Sequence, residues 1–145
     1  MATTTPNFGW TVPTSSDLVK NGATAIETLG DSVDASFAGL TVNAQTGTTY
    51  TAVKADGLNA IVTMDNASAN TFSIPTDATY AFPTGTTLLV YQKGAGVTTI
   101  QAASSGTTTV VSAGAVAAAP VLARYKSAAC IKIAANSWIV VGAVA

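Results

Sequence analysis

Two different patterns of apolar residues follow one another along the chain. Beyond about residue 48, short runs of Val, Ile, Thr and aromatic residues recur roughly every ten residues. No helical segment separates these runs, and strands spaced in this way are typical of antiparallel β-proteins. We therefore predict a mainly β fold, with a small antiparallel β-sandwich or barrel-like domain over residues 48–145. The runs are TYTAV, NAIVTMD, TFSIP, TTLLVYQK, VTTIQAA, TTTVVS, VLARYKS, ACIKIA and SWIVVGAV.

The sequences between these runs are typical of turns. Pro83 and Gly85 in FPTG stand where a type I turn favours them, and the glycines of KGAG, residues 93–96, suit a hairpin that needs positive φ. Asp65-Asn66 and Ala135-Asn136 supply further turns. No internal repeat with a period of about 20 to 50 residues is evident.

The earlier segment TSSDLVKNGATAIETLGDSVDASF has the period of a helix. Ser15 or Ser16 is placed to cap its first turn, and Asp17 to lie within that turn. The pattern predicts a helix over residues 15–37, with Gly22 where the stripe would want another large residue. The apolar positions, which recur at spacings of three, four and seven, are Val19, Ile26, Leu29, Val33 and Phe37.

That helix is weak by itself. Gly22 and Gly30 each cost about 1 kcal/mol relative to Ala. Glu27 and Asp31 form a like-charge pair four residues apart, and an isolated helix of this length is marginal in water. Packing against something else must therefore hold it.

Three arrangements of this helix are compatible with the pattern. Val19, Ile26 and Val33 can be the a positions, and Leu29 a d position, of a short coiled coil or of a helix docked in a groove. The glycines Gly22 and Gly30 would then permit close approach of neighbouring helices around an axis, most simply a threefold one. Alternatively, one amphipathic helix lies on its own β-domain, or Gly30 is a C-cap that splits the segment into two short helices.

The chain begins with a Thr-rich arm. Pro6 and Pro13 favour extended backbone around them. Phe8 and Trp10 would serve no purpose in a solvated leader, so we predict that Phe8, Trp10 and Pro13 anchor the arm on a partner protein. The predicted organisation is an anchoring arm over residues 1–14, a helix for oligomerisation or docking over 15–37, a linker over 38–47 and an antiparallel β-domain over 48–145.

The composition adds a hint of assembly and argues against nucleic acid. Only 9% of the residues are charged, the net charge is −1, and the six Lys and Arg residues are scattered along the chain. Binding several phosphates needs a basic face, so we expect no nucleic-acid partner. A mean hydropathy of +0.41 is high for a soluble monomer, so we expect much of the chain to be covered, either in its own core or by other subunits. The apolar stretches are too short to span a membrane, and we expect no secretion signal.

Candidate catalytic groups are few. The chain has no histidine, and the carboxylate side chains of its β-region are Asp56, Asp65 and Asp77, with no glutamate after Glu27. They show neither the paired arrangement that a glycosidase needs nor the close spacing of a calcium loop. We therefore expect a non-enzymatic protein with no catalytic, cofactor-binding or metal-binding residues.

Three other features have ordinary interpretations. The KGAG glycines lie between two predicted strands, without the helix N-terminus that a phosphate loop needs, so a turn is expected. Cys130 has no intramolecular disulfide partner and is expected to be a buried thiol. Tyr91 and Trp138 could line a sugar site, but aromatic residues on strands are more often part of a core.

The residues of the first segment also carry a resemblance. The stretch TPNFGWTVPTSSDLVKNGATAIETLGDSVDASF is similar to the start of many bacteriophage appendage proteins, known as tail fibres or minor tail proteins. The stretch from YTAVKADGLNA to TTIQAA and the closing AACIKIAANSWIVVGAVA resemble a small β-module at the distal end of phage fibre and structural proteins. The positions that match the N-terminal pattern are Phe8, Gly9, Trp10, Pro13, Lys20, Gly22, Ala23, Ala25, Ile26, Leu29, Gly30, Val33 and Asp34.

The resemblance implies a structural protein of a phage particle, assembled in the cytoplasm of a bacterial host. Its partners would be other virion proteins of the tail, baseplate, neck or capsid, with three copies associating through Val19, Gly22, Ile26, Leu29, Gly30 and Val33. Fibre proteins with this opening are often longer, so a short tail fibre or spike is expected, with a role in host attachment. The alternatives are a capsid decoration protein, such as a head fibre or cement protein, and an adhesin module that binds a host surface glycan.

Overall fold

The computed structural model describes residues 3–14, 16, 18–112 and 119–145. The chain divides into two compact units, Met1–Leu40 and Thr41–Ala145. Within the described residues the fold is mainly β with one α-helix, which confirms the predicted class at that level.

The N-terminal unit contains a small hairpin and the helix. Its described elements are β1 (Thr3–Thr4), β2 (Thr11–Val12), a 3-10 turn at Val19–Asn21 and α1 (Gly22–Phe37). β1 and β2 pair antiparallel, and Gly9 reverses the chain between them with a φ of +69°, which glycine adopts without strain. The N–H of Thr5 donates to the carbonyl of Trp10 at 2.9 Å. The arm is therefore folded back on itself where it is described and is not extended as predicted.

The helix begins later than the sequence indicated. The α-helical residues start at Gly22, and Asn21 precedes them without a side-chain capping bond. Ser16 lies in a turn ahead of this start and does not cap the helix, while Ser15 and Asp17 lie outside the described residues. The helix continues through Gly30 to Phe37, so the alternative in which Gly30 is a C-cap is wrong.

Ten strands make up the described part of the second unit, with a 3-10 turn at Lys54–Gly57. They are β3 (Thr41–Gln45), β4 (Thr49–Thr51), β5 (Ala60–Met64), β6 (Asn70–Ile74), β7 (Thr87–Gln92), β8 (Thr98–Ala102), β9 (Thr109–Ser112), β10 (Val121–Leu122), β11 (Ser127–Ala134) and β12 (Ser137–Gly142). The first of them falls inside residues 38–47, which we assigned to a linker. Strand β3 pairs with β5 along its whole length, so the β-domain begins at Thr41.

The strands form two mixed sheets. One has the order β3-β5-β7-β11-β12-β9 and the other the order β10-β8-β6-β4. From β3 to β8 the chain alternates between the sheets, and each strand runs parallel to the next one in its own sheet. Antiparallel pairs in this domain are β7 with β11, β11 with β12 and β8 with β10, within the residues described.

The prediction of an antiparallel domain is therefore wrong for most of the strand pairs, since β9 and β12 are parallel as well. From β3 to β8 the reason is the connection between strands. Parallel neighbours need a crossover of a dozen or more residues, which is usually a helix. Here a strand of the opposite sheet is the crossover, so the sequence shows strands alone and still builds parallel pairs.

Because of this alternation, each pair of consecutive strands, such as β5–β6 or β7–β8, forms one coil that stacks on the next. The sequence did not reveal these coils as a repeat. Ile61 of β5 pairs with Leu89 of β7, and Asn70 of β6 pairs with Thr98 of β8, in both cases 28 positions apart. The two coils share burial pattern more than residue identity, which explains why no repeat was evident.

Both sheets contribute to one core. Along β5, β6, β7 and β8 buried positions alternate with half-buried or exposed ones, as expected for strands with one face inward. The buried apolar cluster consists of Ala52, Val62, Met64, Phe72, Ile74, Phe82, Leu88, Val90, Ile100, Val110, Leu122, Ala128, Cys130, Trp138 and Val140. The two sheets thus enclose a core, as in a sandwich.

Candidate functional site

One side of α1 carries an exposed apolar stripe. Val19, in the turn before the helix, is 95% exposed, Ile26 is 65% exposed and Phe37 is 74% exposed. Gly30 lies between Ile26 and Phe37 on the same side, since it is four residues after Ile26 and seven before Phe37. A side chain added at Gly30 would meet no atom of the described residues within 4 Å. We call Val19, Ile26, Gly30 and Phe37 the apolar stripe.

The hairpin packs against a different side of α1, which is small and polar. Thr11 of β2 faces Thr24 and Thr28 across a cavity of about 320 Å³. Two hydroxyls on this side are satisfied within the helix, since Thr28 donates to the carbonyl of Thr24 and Ser32 to that of Thr28, each at 2.8 Å. The hairpin therefore leaves the apolar stripe uncovered.

The three predicted anchor residues have different surroundings. Trp10 is half-buried, stacks on Phe8 with 4.8 Å between ring centroids, and donates its Nε1–H to the Ser36 hydroxyl at 3.1 Å. Trp10 thus ties the hairpin to the helix of its own unit. Phe8, which is 40% exposed, and the exposed Pro13 remain at the surface.

The six predicted interface residues lie close together but are not equally accessible. Val19, Ile26 and Gly30 belong to the apolar stripe, whereas Gly22, Leu29 and Val33 are half-buried beside it. Phe37 extends the stripe; its place in the apolar period was visible, but we did not include it among the interface residues.

A polar cluster closes the first coil of the β-domain. Asn43 donates from Nδ2 to Oδ1 of Asp56 at 2.7 Å, and Tyr50 donates its hydroxyl to Oδ2 of Asp56 at 2.7 Å. The backbone N–H of Val53 donates to the same Oδ2 at 2.8 Å, so both carboxylate oxygens are satisfied. Burial, followed by the hydrogen bond and charge of Asp56, raises the pKa of Tyr50 to about 12. A cavity of about 360 Å³ adjoins this carboxylate, whose two oxygens already accept three hydrogen bonds, so we interpret the cluster as a cap for the core.

The KGAG glycines serve the stacking of turns. A side chain at Gly94 would lie 2.3 Å from the backbone of Asn66, and one at Gly96 would lie 2.0 Å from the carbonyl oxygen of Ser68. Neither glycine has positive φ, and β7 and β8, which flank them, belong to different sheets. The predicted hairpin is therefore wrong; the glycines are required by close approach of two stacked turns.

Buried polar groups below these turns are satisfied by one another. Gln92 donates from Nε2 to the carbonyls of Gly94 and Gly96 at 3.1 and 2.8 Å. The Thr98 hydroxyl donates to Oδ1 of Asn70 at 2.6 Å and also contacts Oε1 of Gln92. The network orders the turns and leaves no group directed at a ligand.

A buried lysine joins a loop to the β11–β12 hairpin. Lys132 Nζ lies 2.6 Å from Oδ1 of Asp77 and donates to the carbonyl of Phe82 at 2.6 Å. Partial burial alone would raise the pKa of Asp77, but Lys132 and the backbone N–H of Asn136 outweigh it and lower that pKa. The Ala135-Asn136 turn is confirmed, with Asn136 at a φ of +49°.

The remaining predicted chemistry is structural. Cys130 is fully buried, and burial raises the pKa of its thiol to about 12, which confirms a buried thiol. Trp138 is fully buried against Phe82, with 5.6 Å between ring centroids, so it belongs to the core and cannot line a sugar site. Tyr91 is half-buried on β7.

The carboxylates of the β-domain are kept apart. Asp65 pairs with Lys93 at 2.7 Å, Asp77 pairs with Lys132, and Asp56 lies in the cap. Among the described residues no group of three or more Cys, Asp or Glu side chains could hold a metal ion. In the same part of the chain no helix has both the length and the apolar character to cross a membrane.

Comparison with known proteins gives no relative. No family model, no curated protein and no solved structure matches the chain.

Proposed function

We propose that the chain is a non-enzymatic structural protein of a bacteriophage particle, a short tail fibre or spike. Its N-terminal unit attaches it to other virion proteins, and its β-domain has a role in host attachment. The observation that carries the proposal is the apolar stripe on a unit that buries none of its described side chains. The similarity of residues 5–37 to the start of phage appendage proteins supports it.

The stripe suits other copies of the chain. Val19, Ile26 and Val33 are seven residues apart, which is the spacing of a coiled-coil a position. Gly30 leaves open space between large side chains, where a neighbouring helix can approach closely. We place three copies around this seam, with Phe8 and Pro13 exposed for contact with a further virion protein.

The particle test is direct. Phage particles from the genome that encodes the chain would be purified and separated into heads and tails, and each fraction analysed by mass spectrometry. The proposal predicts the chain in the tail fraction at a fixed number of copies. Its absence from purified particles would refute the proposal.

A capsid decoration protein is the second candidate, since the same stripe would serve attachment to a head. Recovery of the chain in the head fraction alone would favour this role over the tail role. A deletion of residues 1–40 should abolish incorporation in either case, because the β-domain would lose its attachment.

A further inference from the structure

The loop between β10 and β11 presents a tyrosine in an unfavourable backbone conformation. Tyr125 has a φ of +62°, a region that a bulky side chain rarely occupies. Its side chain is 62% exposed, so core packing does not explain the conformation. Strained residues of this kind persist where the surroundings fix them, and they concentrate at binding sites.

Backbone hydrogen bonds hold this loop against the end of β7. The N–H of Tyr125 donates to the carbonyl of Gln92 at 2.7 Å, and the N–H of Gln92 donates to the carbonyl of Lys126 at 3.0 Å. Gln92 is itself fixed by the buried network under the stacked turns. The Tyr125 ring is thus presented on a rigid support.

Three of the six basic residues of the chain gather here. Arg124 Nε donates to the carbonyl of Lys93 at 3.4 Å, and its guanidinium lies 4.5 Å from the centroid of the Tyr125 ring. Lys126 follows directly in sequence and is exposed. Asp65 neutralises Lys93, whereas the described residues provide no carboxylate partner for Arg124 or Lys126. This corner is therefore a basic patch beside an aromatic ring on a chain of net charge −1.

This combination selects the chemistry of a ligand. An exposed aromatic face packs against the C–H face of a sugar ring, which is apolar. A guanidinium and an ammonium group form charge-assisted hydrogen bonds with a carboxylate or phosphate. The charge of the patch favours an acidic ligand over a neutral one.

We propose that Arg124, Tyr125 and Lys126 form a binding site for an acidic saccharide, a sugar that bears carboxylate or phosphate groups. The sugar ring stacks on the face of Tyr125 opposite the Arg124 guanidinium, and its acidic group reaches past the ring edge to pair with Arg124 and Lys126. The site deepens the proposed attachment role and rests on it for its biological purpose, but binding itself can be measured on the purified chain.

The test is a titration of the full chain, followed by amide chemical shifts and calorimetry. The probes are trigalacturonate, sialyllactose and glucose 6-phosphate, with maltotriose as the neutral sugar and inorganic phosphate as the bare anion. We expect at least one acidic sugar to shift the amides of residues 124–126. That sugar should bind about tenfold more tightly than maltotriose, and added salt should weaken its binding.

Substitutions separate a binding role from a structural one. Tyr125→Asn removes the ring and keeps a residue that tolerates positive φ, so we expect affinity to fall about tenfold while the melting temperature stays the same or rises. Arg124→Ala with Lys126→Ala should abolish the preference for acidic sugars. Lys20→Ala, which removes an exposed cation from the other unit, is the matched control and should leave affinity unchanged.

Three outcomes would refute the proposed saccharide site. Silence of all three acidic sugars at millimolar concentration would do so, as would equal binding of maltotriose. Inorganic phosphate binding as tightly as the sugars, with no effect of Tyr125→Asn, would reduce the patch to a simple anion site. Because these measurements do not involve the particle, their failure is distinct from absence of the chain from virions.

Discussion

The β-domain buries fifteen apolar side chains in one cluster, whereas none of the described side chains before residue 41 is buried. A unit of about 40 residues usually needs a disulfide, a metal or a partner chain to remain folded. The N-terminal unit has a hairpin on the polar side of its helix and an apolar stripe without a cover. The β-domain therefore has the interior of an independent fold, whereas the described N-terminal unit has none, which supports the proposal that this unit assembles with other chains.

The largest effect is expected at the centre of the β-domain. Trp138→Ala removes a fully buried side chain packed edge-on against Phe82, and should lower the free energy of unfolding by about 3–5 kcal/mol. Phe37→Ala, on the apolar stripe, should change the unfolding of the β-domain by less than about 0.5 kcal/mol. Urea unfolding followed by far-ultraviolet circular dichroism measures both. Equal losses of unfolding free energy in the two variants would contradict the distinction drawn between the two units.

The buried ion pair should give the next largest effect. Asp77→Ala leaves the Lys132 charge buried without its carboxylate and should cost about 3 kcal/mol. Adding Lys132→Met should recover much of that loss, since the isolated charge is then gone.

The pair also sets a pH dependence. The pKa of Asp77 is lowered in the folded protein. The ionised carboxylate therefore stabilises the fold fully above the ordinary pKa of 3.8, and this stabilisation is lost as the pH falls through the lowered pKa. Unfolding free energy measured between pH 7 and about 2 should fall more steeply for the natural chain than for Asp77→Asn. If unfolding free energy falls equally with pH in the natural chain and in Asp77→Asn, Asp77 is not the source of this pH dependence.

Two glycines provide a matched pair for the stacked turns. Gly96→Ala would place a methyl group 2.0 Å from the carbonyl oxygen of Ser68 and should cost about 2 kcal/mol. Gly106→Ala meets no atom within 4 Å and has no positive φ, so it should be neutral or slightly stabilising. Thermal unfolding of the two variants distinguishes them, and a neutral Gly96→Ala would refute the role given to the KGAG glycines.

The smallest effect is expected from the polar cap. The pKa of Tyr50 is raised to about 12 in the folded protein. Its protonated hydroxyl therefore stabilises the fold fully below pH 10, and this stabilisation is lost as the pH rises from 10 to about 12. Cys130 has a raised pKa as well, so the measurement belongs in a Cys130→Ala background. Adding Tyr50→Phe should cost about 1 kcal/mol at pH 7 and reduce the alkaline loss of stability. An unchanged alkaline slope would show that the cap does not involve the Tyr50 hydroxyl.

The sequence predicted the strands well but not how they pair. The runs NAIVTMD and TTLLVYQK mark β5 and β7 clearly, because alternation reports which side chains are buried. Pairing direction depends on where the chain goes between strands, and the crossover here is another strand. For the same reason β3 was hidden: only its pairing with β5 distinguishes TVNAQ from a polar linker.

Some residues of the candidate sites could be predicted from the sequence and others could not. The apolar stripe follows from helical spacing alone, so Val19 and Ile26 could be predicted. The packing of Trp10 on the helix depends on a reversal at Gly9, which FGW alone did not indicate. Tyr125 could not be found, because nothing in VLARYKS marks a tyrosine with positive φ.

Association of three copies through the apolar stripe can be tested in one experiment. Light scattering after size-exclusion chromatography should give the full chain a mass of three times 14.4 kDa, and Ile26→Glu should reduce it to a single chain with the β-domain still folded. Ala35→Glu, a matched charge on the exposed surface of α1 away from the stripe, should remain trimeric. A natural chain that is monomeric across the accessible concentration range would contradict association through the apolar stripe. A dimer would be compatible with association through the stripe but would contradict three copies.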